Sequence, residues 1–61
     1  MTNAEINLEI AVKALEAGLL NGSAESFISD IKDFDKHDLK RLTSKQYHFL
    51  NDIYKRFKDR F

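Results

Sequence analysis

The chain of 61 residues contains no cysteine and no proline, and it has only two glycines. Without cysteine, neither a disulfide nor a thiolate metal site can cross-link the fold, and nothing indicates an oxidising compartment. With Gly18 and Gly22 as the only glycines, few positions can interrupt a helix. No apolar run approaches the roughly 20 residues of a membrane span, and the N-terminus lacks a basic segment followed by an apolar one. We therefore expect a cytoplasmic protein with no membrane partner, held together by its core.

Signals at helix ends predict an all-α fold: a small bundle of three longer helices plus one short helix, in a single domain of residues 1–61. Thr2 and Glu5 have the spacing of a capping box at the start of a helix of about residues 3–17, which Gly18 and Leu19 end. Ser23 is the expected N-cap of the second helix. The apolar positions of this second helix are Phe27, Ile28, Ile31 and Phe34.

The second half of the chain carries two further N-cap signals. Asp35 is placed to cap one short turn of helix ending near Leu42, although the polar segment 35–42 is also compatible with a loop. Thr43 and Gln46 form a second capping box, which predicts a helix from Ser44. The apolar spacing then predicts a core of Leu8, Val12, Leu15, Leu19, Phe27, Ile31, Phe34, Leu39, Leu42, Leu50, Ile53, Tyr54 and Phe57.

The net charge of zero hides an uneven distribution of charge along the chain. Residues 1–35 hold seven acidic and two basic side chains, a net charge of −5, and residues 36–61 hold eight basic and three acidic ones, a net charge of +5. Two interpretations stay open. The two halves attract each other within the fold, or the basic half is a working surface.

The last helix has an apolar side, a mixed polar side and a basic border between them. At about 100° per residue, its apolar residues fall within an arc of about 160°, which is typical of a helix that faces a core. These residues are Tyr47, Phe49, Leu50, Ile53, Tyr54, Phe57 and Phe61. A row of basic residues with one phenylalanine lies at the edge of this arc, and two basic residues precede the helix. Such cations displace counterions from a phosphate backbone, and an aromatic ring stacks on an unpaired base. Alternatively, the long basic stems only cover the edge of the core. This candidate nucleic-acid-binding site, which we call the basic flank, consists of Lys40, Arg41, Lys45, Phe49, Arg56 and Arg60.

Apolar residues also cover well over half of the first helix, on both sides of a narrow polar strip. A helix on the surface of a small bundle needs fewer. Either this helix lies in a groove between the others, or Ile6 and Ile10 are a contact surface. In the second case the protein is a protein-interaction or inhibitor module, with a second copy of the chain among the candidate partners.

Catalytic and cofactor-binding patterns are missing from the sequence, so we expect a non-enzymatic protein without a cofactor. It has no glycine-rich phosphate loop, no cysteine nucleophile and no HExxH pair. His48 and Asp52 lie one helical turn apart, and His37 is a third candidate ligand, but this scatter does not indicate a metal site. So small a bundle also leaves little room for an enclosed pocket.

The segment "SFISDIKDFDKHDLKRLTSKQYHFLNDIYKRF", about half the chain, resembles a pattern of small phage-encoded helical proteins. It is most similar to the HRDC-like proteins encoded downstream of the UvsW helicase in T4-type phages, which resemble the nucleic-acid-binding HRDC module of RecQ helicases. The resemblance implies a helical bundle in the host cytoplasm with an accessory role in DNA replication, recombination or repair. Its implied partner is single-stranded or branched DNA, bound weakly given the net charge of zero, or a replication or recombination protein. The matched residues are Phe27, Ile28, Ile31, Leu42, Thr43, Lys45, Gln46, Leu50, Ile53, Tyr54 and Arg56.

Overall fold

The structure is a computed structural model that describes residues 3–61. Over this range the chain forms four α-helices and no strand. The predicted all-α bundle of three longer helices and one short helix is confirmed. The predicted capping box of Thr2 and Glu5 involves a residue outside the described range. The helices are α1 (Asn3–Glu16), α2 (Gly22–Ile31), α3 (Lys36–Leu39) and α4 (Ser44–Phe57).

Helix α1 ends in a left-handed turn at Gly18, where φ is 72°. The Gly18 N–H donates to the Leu15 carbonyl, and the Leu19 N–H donates to the Ala14 carbonyl, both at 3.0 Å. This pair of bonds is the Schellman motif, which satisfies carbonyls that the end of a helix leaves without an intrahelical donor. The predicted stop at Gly18 and Leu19 is confirmed.

Helix α2 begins before the predicted N-cap, so the assignment of Ser23 is wrong. The N-cap is Asn21, whose backbone is extended and whose side chain makes no capping hydrogen bond. Its carbonyl accepts the Glu25 N–H at 3.5 Å, which places Ser23 inside the first turn. The physical reason is Gly22, which has a φ of 58° and so turns the chain into the helix earlier than a residue with a Cβ would allow.

The segment 35–42 contains a helix, and Asp35 caps it as predicted. The Asp38 N–H donates to Asp35 Oδ1 at 2.9 Å. Helix α3 ends at Leu39 rather than near Leu42, because the chain leaves it through turns whose hydrogen bonds reach only three residues back. Phe34, which was predicted to lie in the second helix, belongs instead to the connection between α2 and α3.

Both hydrogen bonds of the predicted capping box are present at the start of α4. The Thr43 N–H donates to Gln46 Oε1 at 2.8 Å, and the Gln46 N–H donates to Thr43 Oγ1 at 3.2 Å. One residue further on, the Tyr47 hydroxyl donates to the Leu39 carbonyl at 2.6 Å. This bond ties the start of α4 to the end of α3, so the turn between them has a fixed direction.

Helix α1 lies at the centre of the bundle and contacts each of the other three helices. Its side chains Ala11 and Ala14 are fully buried, and their small size lets neighbouring helices approach the α1 backbone closely. At the edge of the contact with α4, Asn7 Nδ2 donates to Asn51 Oδ1 at 3.4 Å. The central position explains most of the apolar surface of α1, in agreement with the interpretation that this helix lies in a groove.

Five of the thirteen predicted core residues are buried, and the others are half-buried: Val12, Leu15, Leu19, Phe27, Phe34, Leu42, Tyr54 and Phe57. Leu20 and Ile28 are buried, whereas the predicted Leu19 and Phe27 are half-buried against the core. Ala11 and Ala14 are core residues that the prediction omitted. The buried core consists of Leu8, Ala11, Ala14, Leu20, Ile28, Ile31, Leu39, Leu50 and Ile53.

Candidate nucleic-acid interface

All five cations of the basic flank are exposed to solvent. Lys45 lies in the first turn of α4 and Arg56 in its last turn, and Arg60 lies in the turn that follows the helix. Lys40 and Arg41 form the turn between α3 and α4. The capping box and the bond from Tyr47 to α3 therefore set how this preceding turn meets α4. The cations are distributed along the whole length of α4.

The length of this row suits an extended phosphate backbone. Lys45 and Arg56 are eleven positions apart on one helix, which corresponds to about 16 Å at about 1.5 Å per residue. Phosphates on one strand of a duplex follow each other at about 3.4 Å along the axis, so this distance covers about five of them. Lys45 and Arg56 can therefore contact phosphates that are several positions apart on one strand.

Phe49, the aromatic member of the basic flank, is half-buried and stacks on Phe27 of α2. The two ring centroids are 5.0 Å apart and the ring planes meet at 7°. Both side chains also pack against the buried core. The sequence placed Phe49 at the border between apolar and basic residues, and its partial burial agrees with that position. The stacked partner was missed, because no local signal links a residue of α2 to one of α4.

Another aromatic residue close to the cations is more exposed than Phe49. Phe61 directly follows Arg60 and is 44% exposed. The helical arc placed it on the apolar side, but α4 ends at Phe57 and the chain then continues as a turn. The prediction that Phe61 lies on the apolar side of the helix is therefore wrong, because the helical angle does not continue beyond Phe57.

The second candidate surface is only partly exposed. Ile6 is 37% exposed, and Ile10 is half-buried. They lie on α1 with Asn7, whose side chain bonds to Asn51 of α4. The surface is therefore a narrow apolar strip beside the α1–α4 contact.

The acidic part of the chain forms a separate feature on the α1–α3 side. An open cleft with a volume of about 280 Å³ has the apolar side chains Leu8, Phe34 and Leu39 among its lining, together with charged residues. One of these is Asp35, and the hydrogen bond from the Asp38 N–H lowers the pKa of its carboxyl group below the ordinary value of 3.8. The charged lining residues are Glu5, Glu9, Asp35 and Lys36.

Two further properties bear on ligands. Within residues 3–61, His37, His48 and Asp52 do not come together as a group of three or more potential metal ligands. None of the helices in the described part of the chain has the length and apolar character needed to cross a bilayer.

A comparison of the chain with protein-family models, with curated proteins and with solved structures found no match.

Proposed function

We propose that this protein is a non-enzymatic accessory module of phage DNA replication, recombination or repair that binds nucleic acid weakly through the basic flank. The observation that carries the proposal is the exposure of all five of its cations along and around α4. The phage context rests on the resemblance of residues 26–57 to small phage-encoded helical proteins. Weak binding follows from the net charge of zero, because acidic residues elsewhere on so small a surface oppose the approach of a polyanion.

Counterion release gives the expected size of the salt effect. If all five cations contact phosphates, the slope of log affinity against log salt is about −3.5 for a single strand and about −4.5 for a duplex. Raising the salt concentration from about 50 to about 200 mM then weakens binding by roughly 100- to 500-fold. Binding is therefore expected to be measurable only at low salt.

The direct test is a residue-resolved NMR titration with single-stranded and with branched DNA at these two salt concentrations. We expect amide shifts at Lys45, Phe49 and Arg56 and in the turns at residues 40–41 and 58–60, and we expect them to fade at high salt. Shifts spread evenly over the whole surface, or no shifts at low salt, would refute the proposal.

Two double variants distinguish binding at the basic flank from a general effect of the net charge. Arg56→Glu with Arg60→Glu and Lys55→Glu with Lys58→Glu change the net charge equally and lie at the same end of α4. Both should therefore perturb the helix dipole to a similar extent. All four side chains are exposed, Lys55 lies about 100° away from Arg56 around α4, and Lys58 and Arg60 lie in the turn that follows the helix. We expect the first pair to abolish DNA binding and the second to retain most of it, and equal losses would contradict a localised site.

A second candidate function, a protein-interaction or inhibitor module, is favoured by the exposure of Ile6. Its partner would be a replication or recombination protein or a second copy of the chain, contacting Ile6 and Ile10. Apolar association persists or strengthens as salt rises, the opposite of phosphate binding. Sedimentation equilibrium of the protein and of Ile6→Ser, at low and high salt, tests self-association. A monomer in all four samples excludes the homodimer.

A further inference from the structure

The aromatic ring of the basic flank already has another ring on one of its faces. Phe49 and Phe27 are nearly parallel, at 7°, with their centroids 5.0 Å apart. Ring planes in van der Waals contact lie about 3.5 Å apart, so the rings are offset sideways by about 3.5 Å and overlap in part. No nucleobase fits between them.

The remaining surface of Phe49 is also restricted. The side chain is half-buried and packs against the core, whose members include Leu50 and Ile53, both essentially inaccessible to solvent. A base could reach the covered face only by displacing the Phe27 ring. Each of the two phenylalanines thus serves the packing of α2 on α4.

From this geometry we infer that the basic flank binds the sugar–phosphate backbone alone, with no base stacked on Phe49. The inference rests on the proposed function and narrows its ligand class to the phosphodiester backbone, of DNA or RNA and of any base sequence. The contacts that remain are those of Lys40, Arg41, Lys45, Arg56 and Arg60, which are exposed and carry positive charge. Affinity should then depend on the number of phosphates and on salt, and not on the bases.

A strand without bases tests this directly. The ligands are a 15-nucleotide oligothymidylate and an abasic deoxyribose-phosphate strand of the same length, each titrated into the protein at several low salt concentrations. Stacking of a single base on an aromatic side chain typically changes affinity by roughly 5- to 150-fold. We expect dissociation constants within about twofold of each other and equal salt slopes. A preference of fivefold or more for the oligothymidylate that persists in Phe61→Leu overturns the inference while the proposed function stands.

The same titration distinguishes failure of the inference about stacking from failure of the proposed nucleic-acid binding. If neither strand binds at low salt, or if Arg56→Glu with Arg60→Glu binds both as tightly as the original protein, the proposed function itself fails. A 15-nucleotide oligouridylate is a third ligand, and equal binding of it supports backbone recognition without regard to the 2′-hydroxyl. Tighter binding of one sugar type by fivefold or more overturns it.

Matched leucine variants locate any stacking that does occur. Phe49→Leu and Phe27→Leu each remove the same stacked pair, and each keeps an apolar side chain against the core. Only Phe49 belongs to the basic flank. We expect both variants, once far-UV circular dichroism shows that they are folded, to bind each strand as the original protein does. Loss of oligothymidylate binding in Phe49→Leu alone, with abasic binding retained, overturns the inference.

Discussion

The left-handed turn at the end of α1 can be tested by replacing Gly18 with L-alanine or with D-alanine. Gly18 has a φ of 72°, and a Cβ atom added there would meet no heavy atom within 4 Å. Steric contact with the rest of the protein therefore does not contribute to the effect of L-alanine at this position. A destabilisation by L-alanine comes from the backbone conformation.

The magnitude follows from two opposing contributions. An L-residue in the left-handed region costs about 1–2 kcal/mol. Replacing glycine also restricts the unfolded chain, which stabilises by about 0.4–1 kcal/mol. Gly18→Ala should therefore destabilise the protein by about 1 kcal/mol net. D-alanine favours positive φ, so it keeps the entropic gain without the strain and should stabilise by about 0.4–1 kcal/mol. In a domain of this size, 1 kcal/mol shifts the Tm by about 4–8 °C.

A chain of this length is accessible to chemical synthesis, and the assay is thermal and urea unfolding followed by far-UV circular dichroism. D-alanine at Ala17 is the control, because Ala17 is exposed and has negative φ, so the D-residue should destabilise there. If L- and D-alanine at position 18 shift the Tm in the same direction by the same amount, the left-handed assignment of Gly18 is refuted.

Three further predictions concern the core and the caps. Ile28→Ala should lower the free energy of unfolding by about 2–5 kcal/mol, because Ile28 is fully buried. The control Ser29→Ala, at an exposed position, should change it by less than about 0.5 kcal/mol. Both are measured by urea unfolding. Thr43→Ala should cost about 1 kcal/mol through loss of the capping box, and Thr43→Ser should retain most of the stability in the same measurement. The pKa of Asp35 is lowered in the folded state, so its contribution to stability is present above the ordinary pKa of 3.8 and is lost as the pH falls through the folded value. Asp35→Asn should therefore weaken the acid dependence of unfolding below about pH 4, and an NMR titration of the Asp35 carboxyl carbon that gives a pKa at or above 3.8 would contradict the cap.

The helix ends that were predicted correctly all depend on residues close together in the chain. The capping box of Thr43 and Gln46, the cap of Asp35 on α3 and the stop at Gly18 each close hydrogen bonds over three to five residues. Local geometry fixes such bonds wherever the helix later packs. The misplaced cap at Ser23 had a local cause too, because the left-handed conformation of Gly22 was not anticipated.

The basic flank could be predicted only in part. Helical periodicity placed Phe49 at the border of the apolar arc, and five basic side chains near α4 are exposed, as a solvated border requires. Periodicity contains no information about the neighbour across the helix contact. That Phe27 covers a face of the Phe49 ring could be seen only when α2 and α4 were both in place.

By itself the sequence determined the all-α class, three of the helix-end signals and the row of cations, because propensity, capping and side-chain spacing act within a few residues. The tertiary structure decided which of two adjacent apolar residues is buried, Leu20 rather than Leu19 and Ile28 rather than Phe27. It also gave α1 the central position and Phe49 its stacking partner. The physical reason is that burial and ring contacts depend on how helices distant in the chain approach one another, and no spacing within a single helix specifies that approach.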